Sequence, residues 1–350
     1  MGSRAATVLG RERPRAASTR DEPAGDVVLR WASRLAAVVP VLLLAAIVVT
    51  MIVSARGAIV YSGIRLFTGT VFTFGNLYGG SPSVHNGVSA PHNAQYGAAP
   101  LIAGTMLTSI IALVIAVPVS VGGVLALTER VPRRLQNGVS VFLELLAGIP
   151  SVVYGIWGLL VFGPLVAHHV YPVIAAGLGF VPWLRGPVGG GQGLLTAGVV
   201  LAAMVIPIIA ATTRDLLRTV PTLHKEGALA LGMTPYEVFR VVTLPFVRSG
   251  VVAATLLGWA RALGETMAVL LISGNALNQF PHNVYSPVGT IAATIAATLD
   301  GALTDGTGMG VSALGALGLV LLAITLATNW AGRMIVRRTS GAALPVGRGF

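Results

Sequence analysis

Two ionisable side chains stand inside a stretch otherwise fit for lipid: Arg261 and Glu265, within LLGWARALGETMAVLLISGN. An arginine at the centre of a membrane helix costs about 2.5–3.5 kcal/mol on insertion scales, so it needs a partner. Arg261 lies 13 residues beyond Arg248, and at 1.5 Å per residue that is about 20 Å along a helix, well inside a bilayer. On a continuous helix Glu265 follows one turn later, at i+4, within reach of the guanidinium. Glu144, in another apolar run, is a second carboxylate that could approach. Such a pair either neutralises itself and locks helix packing, or faces an aqueous path, where intramembrane charges concentrate. Arginine's planar fork matches phosphate or carboxylate through two parallel hydrogen bonds. Phosphate near neutral pH keeps a proton that it can donate to Glu265, whereas sulfate has none and would be repelled. Gly258, Ala260, Ala262, Gly264 and Ala268 are small and let another helix come close.

Several other chemistries are excluded. There is no cysteine, hence no disulfide, thiolate metal site or cysteine nucleophile. His85, His92, His168, His169, His224 and His282 show no H-x-x-x-H or H-E-x-x-H spacing, and no serine sits in G-x-S-x-G. A phosphate-cradling P-loop needs G-x-x-x-x-G-K-[ST]. The single lysine, Lys225, stands between His224 and Glu226. If ATP drives this protein, the ATP is hydrolysed elsewhere.

The elements that must hold Arg261 and Glu265 are set by hydropathy. Of the residues 54% are hydrophobic and 10% charged, with a mean hydropathy of +0.81; soluble domains carry about 25% charged residues. The chain is an all-α integral membrane protein. Crossing the hydrocarbon takes about 20 mainly apolar residues, and six segments qualify: 35–54, 100–128, 138–165, 193–213, 248–274 and 310–331. Pro118 and Pro150 predict a kink or break in the second and third. The first run also admits a signal-peptide reading, but its length and arginine-rich head favour a retained anchor. Residues 1–30 are polar and read as a disordered head, 31–340 as the membrane domain, and 341–350 as a tail. The loops at 55–97, 166–192 and 275–309 have room for short interfacial helices, with 290–302 the best candidate.

The net charge of +11 comes from 22 arginines and one lysine against 12 acids. Nineteen of these cations fall in the head, the tail and the loops holding Arg130–Arg134 and Arg214–Arg248. Arg56, Arg65 and Arg185 fall on the other side. By the positive-inside rule both termini are predicted to be cytoplasmic. The charge therefore reads as topology and lipid-headgroup contact, and no nucleic-acid role is implied.

One of those loops, 221–245, is unusual. Pro221 suits the first turn of a helix, helix formers run to Leu231, and Gly232 can take the left-handed conformation that ends it. Thr234-Pro235-Tyr236-Glu237 reads as a capping box for a second helix, which runs to about Thr243 before Leu244-Pro245 turns the chain into the fifth span. A capped helical hairpin with charged edges suits a groove on another protein, although an amphipathic loop resting on headgroups shares some of these features.

The residues of this hairpin resemble the EAA loop of ABC importer permeases. Glu226, Gly227 and Ala228 are followed after three residues by Gly232, and after nine more by Val242-Thr243-Leu244-Pro245. Gly227 and Val242 replace the usual alanine and isoleucine, with the spacing intact. A second resemblance covers about 96–335, through RALGETMAVLLISGN, ELLAGIPSVVYGIWG, LIAGTMLTSIIALVIAVPVSVG and GLLTAGVVLAAMVIPIIA. These are similar to a permease subunit of the bacterial phosphate-specific ABC transporter. The arginine-rich head and the glycine-rich loop at 186–193 depart from it.

The resemblance implies a six-helix type I ABC importer permease of the bacterial cytoplasmic membrane, not itself an enzyme. It implies that Arg261 and Glu265 line the path for inorganic phosphate, with Glu144 beside them and Ser151 and Tyr154 as hydroxyl donors. Glu226, Gly227, Ala228, Gly232, Leu244 and Pro245 would form the coupling element on the ATPase. The implied partners are a homologous second permease subunit, a cytoplasmic ATPase dimer that uses the ATP, an extracytoplasmic phosphate-binding protein, and membrane lipid. No cofactor or metal is expected on this chain. From the residues alone, a permease for another oxyanion or polar nutrient fits equally well; an ATP-independent channel or a membrane-embedded enzyme fits less well.

Overall fold

The computed structural model describes residues 24–76, 79–130 and 132–340. The chain divides into two compact units, Met1–Thr50 and Met51–Phe350. In the first, the described residues belong to a helix, α1 (Ala24–Ser62), whose apolar side chains such as Leu29 and Val41 are exposed, as lipid contact requires. Residues 24–30, expected to be disordered, are helical; residues 1–23 and the tail 341–350 lie outside the described residues.

The second unit begins with the rest of α1. Gly63, at φ 53°, lets the helix stop, and α2 (Arg65–Thr68) follows. The region to residue 97, expected to hold helices at most, contains two small antiparallel sheets. Strand β1 (Phe72–Thr73) pairs with β4 (Gln95–Tyr96), and β2 (Ser83–His85) with β3 (Val88–Ala90). The turn at Asn86–Gly87, with φ 51° and 77°, is the Asn-Gly geometry that matches the twist of a tight hairpin.

Helix α3 (Ala99–Arg130) passes through Pro118 without a break, so of the kink or break expected there the break does not occur. Close packing along its length supports it: Ala112 and Ala116 are buried with Leu201, Val205 and Ile209. The Ser120 hydroxyl also donates to the Ile206 carbonyl at 3.1 Å. Pro150 does break its helix. Helix α4 (Arg133–Gly148) ends at Ile149, and both Ile149 and Pro150 are extended, with ψ 130° and 139°, the conformation favoured before and at a proline. The third crossing therefore runs over Ser151–Gly177 rather than 138–165. It is built from α5 (Ser151–Trp157), a π-helical turn at Gly158–Phe162, α6 (Gly163–His169) and α7 (Tyr171–Gly177).

Helix α8 (Leu194–Arg218) is the most buried span. The hairpin follows as α9 (Thr222–Ala230) and α10 (Pro235–Val238); a second π-turn at Phe239–Thr243 leads into α11 (Leu244–Leu263). Then come α12 (Met267–Ile272), α13 (Ile291–Leu303), capped by the Thr290 hydroxyl, and α14 (Met309–Ser340). Residues 291–294 at the start of α13 are buried in the unit, so this end belongs to the core rather than to an interface.

Among the described residues, six helices are long and apolar enough to cross a membrane. In lipid, helices gain little from hiding apolar surface and rely on close contact and interhelical hydrogen bonds. Both are present. A Cβ on Gly198 would meet Ile111 Cβ at 2.9 Å, and one on Gly258 would meet Ile209 Cδ1 at 2.9 Å, so α8 meets α3 and α11 at near backbone distance. The Trp259 indole donates to Ser109 Oγ at 3.1 Å, and the Ile291 amide to Thr105 Oγ1 at 2.9 Å.

Candidate functional site: two broken spans and a capped hairpin

Arg261 and Glu265 stand at a second break. Helix α11 stops at Leu263, Gly264 has φ −92° and ψ 1°, and α12 starts only at Met267. The expected span 248–274 is thus two helices, and the i+4 reach of Glu265 to Arg261 fails because Glu265 lies outside the helix. Among the described residues the two form no ion pair. Arg261 is exposed and Glu265 half-buried. The stop is made locally: the Gly264 amide donates to the Arg261 carbonyl at 3.2 Å, and the Thr266 hydroxyl to the Gly264 carbonyl at 3.2 Å.

The broken third span packs against the broken fifth. A Cβ on Gly155 would meet Ala268 Cα at 3.0 Å, and one on Gly158 would meet Ile272 Cγ2 at 3.1 Å. Helices α5 and α12 therefore run parallel, in a register that sets the Pro150–Ser151 break level with Gly264–Glu265. Irregular backbone at membrane depth is tolerated only where protein buries it or water lines it. Ser151 opens α5 at this level. Tyr154 is different: its hydroxyl donates to the Leu146 carbonyl at 3.0 Å, bridging the break, which is a packing role rather than that of a free donor.

Glu144 points elsewhere. Its Oε1 is 3.3 Å from Arg214 Nη2 on α8, and its side chain is 62% exposed. Arg214 was not among the expected site residues; the sign of it in the sequence is its place at the arginine-rich end of a span.

The hairpin is built much as its residues dictate. Pro221 caps α9 rather than entering it. Gly232, at φ 82°, closes the helix: the Gly232 amide donates to Leu229 O at 2.9 Å and the Met233 amide to Ala228 O at 3.3 Å, the paired bonds of a left-handed C-cap. The capping box is complete, with Glu237 N donating to Thr234 Oγ1 at 3.3 Å and Thr234 N to Glu237 Oε2 at 2.7 Å. Leu244-Pro245 does not turn the chain; helix runs through it. Proline cannot make the i→i−4 bond and its ring crowds the carbonyl four residues back, and the wider π-turn just before it accommodates both. The same device precedes Pro164: each five-residue π-turn ends two residues before a proline. Within the hairpin Ala228 and Val238 are buried, while Leu223, Leu231 and Tyr236 are 75%, 81% and 67% exposed. Glu226 and Gly227 are exposed as well.

Six membrane helices, two of them interrupted at one level, together with a capped hairpin that exposes Leu223, Leu231 and Tyr236, describe the membrane component of a transport system. Residues 119–341 match the family described as binding-protein-dependent transport system inner membrane component, and the chain belongs to that family, the membrane-spanning and non-enzymatic part of ABC importers. It is similar to the phosphate transport system permease protein PstC 1 of Mycobacterium tuberculosis, 54% identical over 325 residues, which cover 92% of this chain and 96% of that protein. It is also similar to the phosphate transport system permease protein PstC of Haemophilus influenzae, 39% identical over 71% of this chain and 78% of that protein. Among solved structures, an inward-facing conformation of the MetNI methionine ABC transporter matches 69% of this chain and 94% of its own at a TM-score of 0.47 and 21% identity.

Proposed function

We propose that this chain is the permease subunit that carries inorganic phosphate across the cytoplasmic membrane in an ATP-driven importer. The observation that carries this reading is the 54% identity, over nearly the whole of both chains, to a phosphate transport permease. The break at Gly264–Thr266 supports it. An exposed arginine about 20 Å along a membrane helix cannot rest in lipid, so the face bearing Arg261 belongs against water or another chain. A homologous second permease (PstA-like) facing this one would enclose a path there. Arg261 would then hold the anion through its fork, and Glu265 would accept the proton that phosphate retains and sulfate lacks.

The termini and the hairpin lie on the cytoplasmic side in this reading. Exposed Leu223, Leu231 and Tyr236, with Glu226, Gly227 and Gly232 between them, form the surface offered to a cytoplasmic ATPase dimer (PstB-like). The helix continues from Pro235 through Leu244-Pro245 into α11, so a push on the hairpin is delivered along the element that carries Arg261. A phosphate-binding protein (PstS-like) would deliver the solute at the opposite face. In this reading ATP is consumed by the partner ATPase.

The test is radiolabelled phosphate uptake in cells carrying Arg261→Ala, Glu265→Ala or Gly232→Pro, with the assembled complex recovered from each. The first two variants lose uptake while keeping the ATPase bound, and the third loses the ATPase. Full uptake with Arg261→Ala, or a hairpin variant that still recovers and drives the ATPase, sinks the proposal.

A further inference from the structure

A cavity of about 440 Å³, lined by residues from Tyr61 to Gly97, shares no residue with the Arg261 break or the hairpin. Its walls are the last turn of α1, helix α2, the crossing of β1 with β4, and His85 on β2. Ala58, one turn before Tyr61, is tied to α14 through Ser312 Oγ at 2.8 Å. Leu256 of α11 packs on Gly332, twenty residues or about 30 Å further along α14. Because α11 leads from there back to the hairpin, the cavity sits at the opposite end of the unit.

We propose that this cavity is a binding site for a phosphate group. Its donors come from different walls. Arg65 brings a fixed cation and a five-donor fork. Two hydroxyls of the lining residues, Ser62 Oγ and Tyr96 OH, are buried and have no hydrogen-bond partner among the described residues. An unmet buried hydroxyl costs about 1–3 kcal/mol, so a ligand that accepts from it is favoured. Tyr96 is only 2% exposed, and burial, reinforced by the Asp305 carboxylate and Tyr61, pushes its phenol up. It therefore remains a protonated donor. His85 Nδ1 is 2.8 Å from the Tyr61 carbonyl oxygen and must donate to it, which fixes the ring and leaves Nε2 for a ligand.

No acidic residue lines the cavity. The backbone at its base is drawn together by glycines: a Cβ on Gly69 would meet Gly97 Cα at 2.9 Å, so any side chain there would force the crossing apart. A planar carboxylate is satisfied by one fork, whereas donors on several walls suit the divergent oxygens of a tetrahedral anion. The phosphate can be free inorganic phosphate or the headgroup of a lipid. Ile64 and Phe67, 77% and 52% exposed on either side of Arg65, make the second source reachable from a bilayer surface. The inference rests on the donor set alone and does not require the importer reading.

Diethyl pyrocarbonate modification of His85 Nε2, followed by peptide mass spectrometry on the full-length chain, tests it. Exposed His92, outside the cavity wall, is the internal reference. In lipid-depleted detergent, millimolar inorganic phosphate is expected to slow His85 modification severalfold, where chloride of equal ionic strength does not. If the headgroup is the natural source, His85 is already protected in phosphatidylglycerol nanodiscs and added phosphate changes nothing. Arg65→Gln removes protection in either case. Tyr96→Phe, which keeps the ring packed on Tyr61 and Phe72, weakens it. Absence of protection in both media, or protection unchanged in both variants, overturns the proposal.

Discussion

Arg214 Nη2 stands 3.3 Å from Glu144 Oε1 and joins the polar end of α8 to α4. The carboxylate is 62% exposed and the arginine side chain 18%, so water screens the pair, and exposed pairs of this kind contribute at most about 1 kcal/mol. Glu144→Gln is therefore expected to leave phosphate uptake within about twofold of the parent and to lower unfolding stability by under about 1 kcal/mol. Uptake assays and thermal unfolding of the purified chain check both. Loss of uptake comparable to Arg261→Ala would put Glu144 back on the path.

The hairpin yields a prediction in each direction. Thr234 accepts from Glu237 N and its own amide reaches Glu237 Oε2, so Thr234→Ala should cost about 1 kcal/mol of local stability, and Thr234→Ser much less. Gly227 is interior to α9, and a Cβ there meets nothing within 4 Å. Gly227→Ala should therefore stabilise the hairpin by about 0.5–1 kcal/mol. Amide hydrogen exchange over 222–243 reads these effects as faster exchange for the first and slower for the last.

The hairpin was legible because its information is local. A proline, a left-handed glycine and a Thr-x-x-Glu box each act over four residues, and each shapes the chain where its chemistry said it would, Pro221 one residue early. The six spans are legible for the same reason, since length and hydropathy are read along one segment. The missing step was tertiary. Pro118 and Pro150 look alike in sequence, yet packing against α8 carries α3 through the first, while Tyr154 must bridge the second. Helix α11 stops at Leu263, before Gly264, although the run on either side is as apolar as the other spans, and the stop separates Arg261 from Glu265. Glu144 likewise found its cation on another helix, at a distance in sequence that no spacing rule covers. Nothing in the hydropathy of 55–97 marks its strands; Asn86–Gly87 was the one local sign.

The contact between the two broken spans should be intolerant of bulk. Gly155 lies against Ala268 Cα at 3.0 Å and Leu271 Cδ1 at 2.8 Å, measured from where its Cβ would be. A leucine tip can move, but helix backbone cannot do so cheaply, and forcing extra atoms into such a contact costs about 1–3 kcal/mol. Gly155→Val is expected to lower the unfolding temperature and to reduce uptake, because α5 and α12 hold the two breaks level. Gly148→Val, where a Cβ meets nothing within 4 Å, is the control and should do neither.

The π-turn at Phe239–Thr243 is the joint between the hairpin and α11, and it ends two residues before Pro245, whose missing amide and bulky ring give a physical reason for it. Restoring the missing amide with Pro245→Ala removes the reason for the wider turn, and the segment is expected to tighten toward α-helix. Losing one residue from a turn rotates everything before it by about 100° about the helix axis. Leu231, Tyr236 and Val241 would then present a different face while α11 and Arg261 stay in place. Spin labels at Leu231 and Leu257, both exposed, should report a changed distance in Pro245→Ala, with fold stability equal to or above that of the parent. Uptake should fall in the same variant, since an ATPase seated on the hairpin would then act on a misaligned lever. An unchanged label distance would mean that packing rather than the proline holds the π-turn, and Pro245 would lose its place in the coupling element.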